Sequence, residues 1–124
     1  MVRKKQRLKI IREISDYTKV IERNQVSKDN LSNAYFNRGQ AKFSLNNYSG
    51  AIADQTKAVE MNPKYSHAYY FRGLIKGMVK DDDGSCSDLR TASRLGFQVE
   101  KKFVEMICKH MNKTLKILRF PNQS

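Results

Sequence analysis

Apolar residues fall at helical spacing along most of this chain. Ile10, Ile14, Tyr17 and Ile21 recur every three to four positions, and Leu8, Ile11 and Val20 widen the stripe, which predicts an amphipathic helix over 8–24. The polar run 25–31 separates it from a second helix that ends near Leu45, for which Ser32 or Asn33 offers a capping oxygen. Asn46-Asn47 breaks that helix, since Asn tolerates turn conformations, and a third runs from about Tyr48 to Met61 until Asn62-Pro63 ends it. Ser66 is expected to cap a fourth helix reaching about Val79. Lys80-Asp81-Asp82-Asp83-Gly84 reads as the next turn, and Ser85 to Leu95 as a fifth helix stopped by Gly96. A last helix is predicted over 99–118, with Phe103, Ile107, Met111 and Leu115 on one stripe and Pro121 closing the ordered chain. Nothing alternates with period two, and no Asn-Gly hairpin turn appears, so strands are not expected.

The pattern also repeats. Ser32-Asn33-Ala34-Tyr35-Phe36-Asn37-Arg38-Gly39-Gln40-Ala41-Lys42 returns as Ser66-His67-Ala68-Tyr69-Tyr70-Phe71-Arg72-Gly73-Leu74-Ile75-Lys76, and the same offset pairs Asp54 with Asp88 and Ala58 with Ala92. A period of about 34 residues marks stacked helix pairs, in which each unit buries its apolar face only against its neighbour. Gly39 and Gly73 sit mid-helix, where glycine costs about 1 kcal/mol against alanine, so a packing reason is expected. Ala51 and Ala58, repeated as Ser85 and Ala92, offer small residues to receive Tyr35 and Tyr69 from the facing helix.

Composition narrows the function class. The chain has 124 residues and fits one domain, and its formal net charge is +12. Residues 1–30 hold nine Lys/Arg against four Asp/Glu, residues 98–124 hold six against two, and 80–97 is slightly acidic. This excess favours anionic partners: nucleic acid, an acidic protein tail or a lipid surface. The alternative is a set of solvated helix faces. Arg3, Lys4, Lys5, Arg7, Lys9 and Arg12 oppose the dipole of the first helix, whose first turns should fray. No apolar run approaches the roughly 18 residues of a spanning helix, and the basic start lacks the apolar stretch of a secretory signal, so no membrane association and a cytoplasmic location are expected. Cys86 and Cys108 form no C-x-x-C and have no zinc spacing with His67 or His110. Buried free thiols are expected; a bridge requires that the two face each other across adjacent helices.

Tyr35, Gly39, Ala51, Ala58 and Pro63, and again Tyr69, Gly73 and Ala92, resemble the tetratricopeptide repeat over about 32–97. Lys42 and Lys76 stand where that family has an aromatic, and Gln55 where it has a large apolar residue. Asp82 and Ser85 also depart, and the second copy lacks the closing proline. The resemblance implies an all-α fold: a right-handed superhelical stack of antiparallel helix pairs closed by a C-terminal capping helix. It divides a single domain into 1–24, 32–65, 66–97 and 98–119. The first of these resembles the second helix of an earlier repeat, because Glu13–Glu22 matches Ala51–Glu60.

By the same resemblance the protein is a scaffold that holds a peptide or partner helix in a concave groove. Asn33, Phe36, Asn37, Gln40 and Ser44 should line it, continued by His67, Tyr70, Phe71 and Leu74. A carboxylate clamp for acidic chaperone tails needs converging Lys/Arg and Asn. Asn37 fits such a clamp, but His67 and Phe71 stand where the cations belong. Phe36, Tyr70, Phe71 and Leu74 suggest an apolar ligand instead, unless the N-terminal helix covers them. That helix leaves one end of the stack open, and a second copy covering it would give a homodimer. The runner-up class is non-specific nucleic-acid binding along the basic N-terminal face and Lys101, Lys102, Lys109, Lys113, Lys116 and Arg119, which lack interleaved aromatics for base stacking. Asp81-Asp82-Asp83-Gly84-Ser85 lacks the ligand spacing of a calcium loop, no base stands beside Cys86, and no glycine-rich phosphate loop occurs. No metal, cofactor or enzymatic activity is expected.

Overall fold

The computed structural model describes residues 3–109. Among them there are helices and no strands: α1 (Lys4–Arg23), α2 (Lys28–Ser44), α3 (Tyr48–Met61), α4 (Ser66–Met78), α5 (Asp82–Arg94) and α6, helical over 101–109. From α1 to α5 each helix packs on the next, most closely α2 on α3 and α4 on α5, with α1 against α2 and α3 against α4 completing the series. Connections of three or four residues turn these five helices antiparallel in succession, and residues 95–100 lead from α5 to α6. The result is the expected stack of helix pairs. The C-terminal part of the last predicted helix, including Met111 and Leu115, lies outside the described residues.

Local chemistry sets the boundaries, and four helix starts differ from expectation. α2 starts at Lys28, because Ser27 caps it by accepting the Asn30 N–H at 3.2 Å. Ser32 is therefore not a cap. It lies fully buried one turn inside the helix and donates its hydroxyl to the Ala58 carbonyl at 2.7 Å. α5 starts at Asp82, since Asp81 accepts the Gly84 N–H and acidic Asp82 and Asp83 suit the positive end of a helix dipole. Ser66 opens α4 as its first residue; Tyr65 precedes it and no side chain caps it. α1 runs from Lys4 despite its cations, with Gln6 Oε1 accepting the Arg3 N–H at 3.4 Å. The cap of α3 repeats that of α5, with Asn47 taking the Gly50 N–H as Asp81 takes that of Gly84. Asn46 and Lys80, one period apart, share the left-handed turn conformation at φ 63° and 69°.

The glycines do what close packing requires. A Cβ on Gly39 would stand 2.5 Å from the Gln55 amide nitrogen and 3.2 Å from Asp54 Cβ. On Gly73 it would meet Asp88 Cβ at 3.1 Å and Leu89 Cγ at 3.2 Å. Ala51, Ala58, Ser85 and Ala92 are fully buried between the rods. Tyr35 and Tyr69 both pack against the cluster of Ala58, Val59 and Ala68. Gln55 turns its departure from the family pattern to use: its amide donates to the Phe36 carbonyl at 3.0 Å, bracing α2 beside Gly39.

Lys42 and Lys76 are explained by a buried ion cluster that occurs twice. Arg38 donates from Nε to Asp54 Oδ2 at 2.8 Å and from Nη2 to Oδ1 at 2.7 Å, while Lys42 Nζ lies 3.1 Å from Oδ2. Arg72, Asp88 and Lys76 repeat this at 2.7, 2.7 and 3.3 Å. Each guanidinium also reaches back to an earlier helix. Arg38 donates to Thr18 on α1 and Arg72 to Thr56 on α3, both at 3.2 Å. Thr18 and Thr56 in turn donate to the carbonyls of Ile14 and Ile52. The hydrogen bond to each carboxylate raises the pKa of Arg38 and of Arg72, outweighing the opposite effect of burial.

Cys86 and Cys108 are joined by a disulfide, so the expectation of free thiols is corrected. The two residues are buried, and the bond fastens α6 to α5. Their spacing in sequence gave no sign of this, because facing across two helices is a property of the packing.

Candidate functional site

The fold draws eight rings into one series, and five of them lie on α2 and α4, the first helices of the two pairs. Tyr48 meets Phe43 at 5.5 Å between ring centres, Phe43 meets Phe71 at 5.3 Å, Phe71 meets Phe36 at 6.2 Å and Phe36 meets Tyr65 at 5.0 Å. Tyr65 continues to His67 at 6.4 Å, and Phe97, just beyond α5, packs on His67 at 4.8 Å and stacks on Tyr70 at 4.4 Å. Edge-on and offset contacts of this kind stabilise by about 0.5–1.5 kcal/mol each beyond area burial. They hold the rings in place ahead of any ligand. Burial of the Tyr65 phenol raises its pKa.

At one end of this series lies an open apolar cavity of ≈470 Å³. Phe43, Phe71, Leu74 and Met78 form its α2 and α4 side, and Phe103 and Ile107 of α6 close it from across. Phe103 and Ile107 stand four apart on one face of α6, and the adjoining Cys108 is the residue bonded to α5. The disulfide thus fixes the wall that those two side chains form. A volume of this size suits a few side chains of a partner or a small apolar ligand. A larger hollow of ≈660 Å³ lies between α5 and 99–105, but its lining mixes Arg90, Arg94 and Lys101 with Asp83 and Glu105 and has no ring.

The groove residues read from the sequence are distributed unevenly. Phe71 and Leu74 line the cavity, and Phe36 joins it through Phe71. Tyr70 and His67 sit together further along, under Phe97. Asn37 is half-buried on α2, and Asn33, Gln40 and Ser44 are exposed on the same helix, with Ser44 donating to the Gln40 carbonyl. Phe43, Met78, Phe97, Phe103 and Ile107 were missed. The signal for Phe43 was available: it precedes the Asn46-Asn47 turn, where an apolar residue next to Lys42 has to choose a side.

The family model for the tetratricopeptide repeat matches residues 32–65, which cover α2 from Ser32, all of α3 and the turn after it. The chain is a tetratricopeptide-repeat protein. Relatives of this repeat protein agree. Serine/threonine-protein phosphatase T of Aspergillus oryzae is 35% identical over 60 residues, 48% of this chain and 13% of that protein. Hsc70-interacting proteins 1 and 2 of Drosophila melanogaster are each 35% identical over 89 residues, 70% of this chain and 22% of theirs. The tetratricopeptide-repeat chain therefore spans under a quarter of the length of the curated relatives it matches. Among the described residues no helix is long and apolar enough to cross a membrane, and no three His, Cys, Asp or Glu gather as a metal site.

Proposed function

We propose that this chain is a protein-interaction module that seats apolar side chains of a partner helix in the trough between α2, α4 and α6. The observation that carries the reading is the ≈470 Å³ cavity with its wall of Phe43, Phe71, Leu74, Phe103 and Ile107. Asn33, Phe36, Asn37, Gln40, Ser44, His67 and Tyr70 extend the contact surface along α2 and α4. The module carries no reaction of its own; phosphatase T is matched over too small a share of its length to lend its chemistry.

Two of the relatives are named for interacting with Hsc70, so a chaperone of that class is the first partner to try. The ionic arrangement argues against capture of its terminal carboxylate. Arg38 and Lys42 are spent on Asp54, and Arg72 and Lys76 on Asp88. These are the cations of the two first helices that recur with the repeat, so charge-assisted pairing with a carboxylate would have to break a buried cluster. Calorimetric titration of the purified chain with such a chaperone tests the reading. Binding that survives deletion of the chaperone's last acidic residues, and that weakens at least roughly tenfold in a Phe71→Ala/Leu74→Ala variant, is expected. Binding that ignores the double variant overturns it.

The cytoplasm is the location proposed with this function. Fractionation of cells that make the chain tests the location: recovery with the cytoplasmic fraction is expected, and recovery from an oxidising compartment, where disulfides such as Cys86–Cys108 persist, overturns it.

A further inference from the structure

We infer that the outer face of α1 is a second docking surface, shaped for an acidic amphipathic helix of a protein partner. Lys5, Lys9, Arg12, Lys19 and Arg23 succeed one another at intervals of three, four or seven along α1 and share one file with Asp16. That file runs opposite Ile10, Ile14, Tyr17 and Ile21, the half-buried stripe on the inner side of the helix. At 1.5 Å per residue the cations extend over about 27 Å. All five are exposed, and none makes an ion pair among the described residues.

A solvated face would need nothing more, but two large apolar residues stand beside the file. Leu8 is 53% exposed and Ile11 is 47% exposed, three apart and therefore adjacent on the surface. A phosphate backbone has no use for them, and Asp16 in mid-file would repel it. An acidic helix with apolar residues along one flank meets every feature. Its carboxylates face the cations, its apolar flank covers Leu8 and Ile11, and a basic residue can oppose Asp16.

A missing first helix of an earlier repeat fits less well. α1 does match α3, since Asp16 and Thr18 take the places of Asp54 and Thr56, and Thr18 receives Arg38 as Thr56 receives Arg72. Yet where α3 offers Ala51 and Ala58, both fully buried, α1 presents Glu13 and Val20. The close seat that a neighbouring repeat helix needs is therefore filled. Two copies meeting through this face would oppose like charges.

The test uses the whole chain and a labelled model helix about three heptads long, with Glu along one file and Leu on its flank. A Lys-for-Glu version of that helix, a DNA duplex and phosphatidylserine vesicles serve as competitors. At about 0.15 M salt the Glu helix is expected to bind best, with affinity falling as salt rises. Lys9→Glu/Arg12→Glu/Lys19→Glu should weaken it by roughly tenfold or more, and Leu8→Ser/Ile11→Ser by about threefold. Phe71→Ala should leave it unchanged, which separates this surface from the trough. Circular dichroism of each variant confirms that the helices persist. Tighter binding of the duplex or the vesicles, absence of binding, or indifference to charge reversal in a folded variant overturns the proposal.

Discussion

Arg72 and Asp88 face each other through two parallel hydrogen bonds of 2.7 Å, with the Asp88 side chain only 5% exposed. The pair holds α4 to α5 at the level of Gly73, one residue along from the arginine. Arg38 and Asp54 do the same for α2 and α3 at Gly39. Close approach and ionic closure are thus neighbours in both units.

Breaking either pair from one side should be costly. Arg72→Met leaves the Asp88 carboxylate buried with only Lys76, and a loss of about 3–5 kcal/mol is expected in urea unfolding. Lys57→Ala removes the exposed Lys57–Glu60 pair, in which both side chains are 54% exposed, and should change stability by less than about 1 kcal/mol. Equal losses in the two variants would contradict this account of the cluster.

Gly73→Leu should destabilise by about 3 kcal/mol or more, since Asp88 Cβ and Leu89 have no room to retreat within the pair. Gly96→Ala gives the contrast. Nothing lies near it, but its φ of 94° is strained for any side chain, so a smaller loss of about 1 kcal/mol is expected. Thermal melts of the two variants decide between crowding and backbone strain.

How much of this could be read beforehand depends on the range of each cause. The repeat, the breaks at Asn46-Asn47 and Asn62-Pro63, and the bounds of α3 follow from nearby residues, and all of them hold. α2 and α5 start early because Ser27 and Asp81 cap them from inside stretches whose polarity looked like loop. Arg38, Arg72, Asp54 and Asp88 were all visible in the repeat, and the unchanged 16-residue gap between opposite charges was the signal that could have paired them. At the site, Phe36, Phe71 and Leu74 were legible as apolar residues on a first-helix face. Phe97, Phe103 and Ile107 were not, because the path of the chain after α5 brings them back over α4.

Reduction should loosen the far end of the stack. The bonded cysteines lie 22 residues apart, a loop whose closure stabilises by about 3 kcal/mol in the chain-entropy picture. Melting with and without a phosphine reductant should differ accordingly. Hydrogen exchange should rise first in 101–109, and a uniform rise across α2 and α3 would argue that the bond acts elsewhere.

Tyr65 gives a handle on alkaline stability. Its pKa is raised by burial above the ordinary 10.0, so the folded state favours the neutral phenol. The stabilisation that this brings is complete below the unfolded value and disappears as pH climbs through the folded one. Melting temperature should therefore drop above about pH 10, and Tyr65→Phe should flatten that drop. Ultraviolet titration should find one phenol in the wild type, absent from the variant, that ionises late.

The reach of Arg38 and Arg72 to a hydroxyl outside their own pair has a consequence for how such an array can change length. Thr18 precedes Arg38 by 20 residues, whereas Thr56 precedes Arg72 by 16. The surplus is accommodated at the start of α2, where Lys28 to Leu31 add one coil that α4 lacks. Four residues of helix carry the chain a little past full circle, so the guanidinium still finds its threonine. Insertions of one or two residues there would swing the arginine away from it. Evolutionary growth and laboratory grafting of these modules should both advance in whole coils.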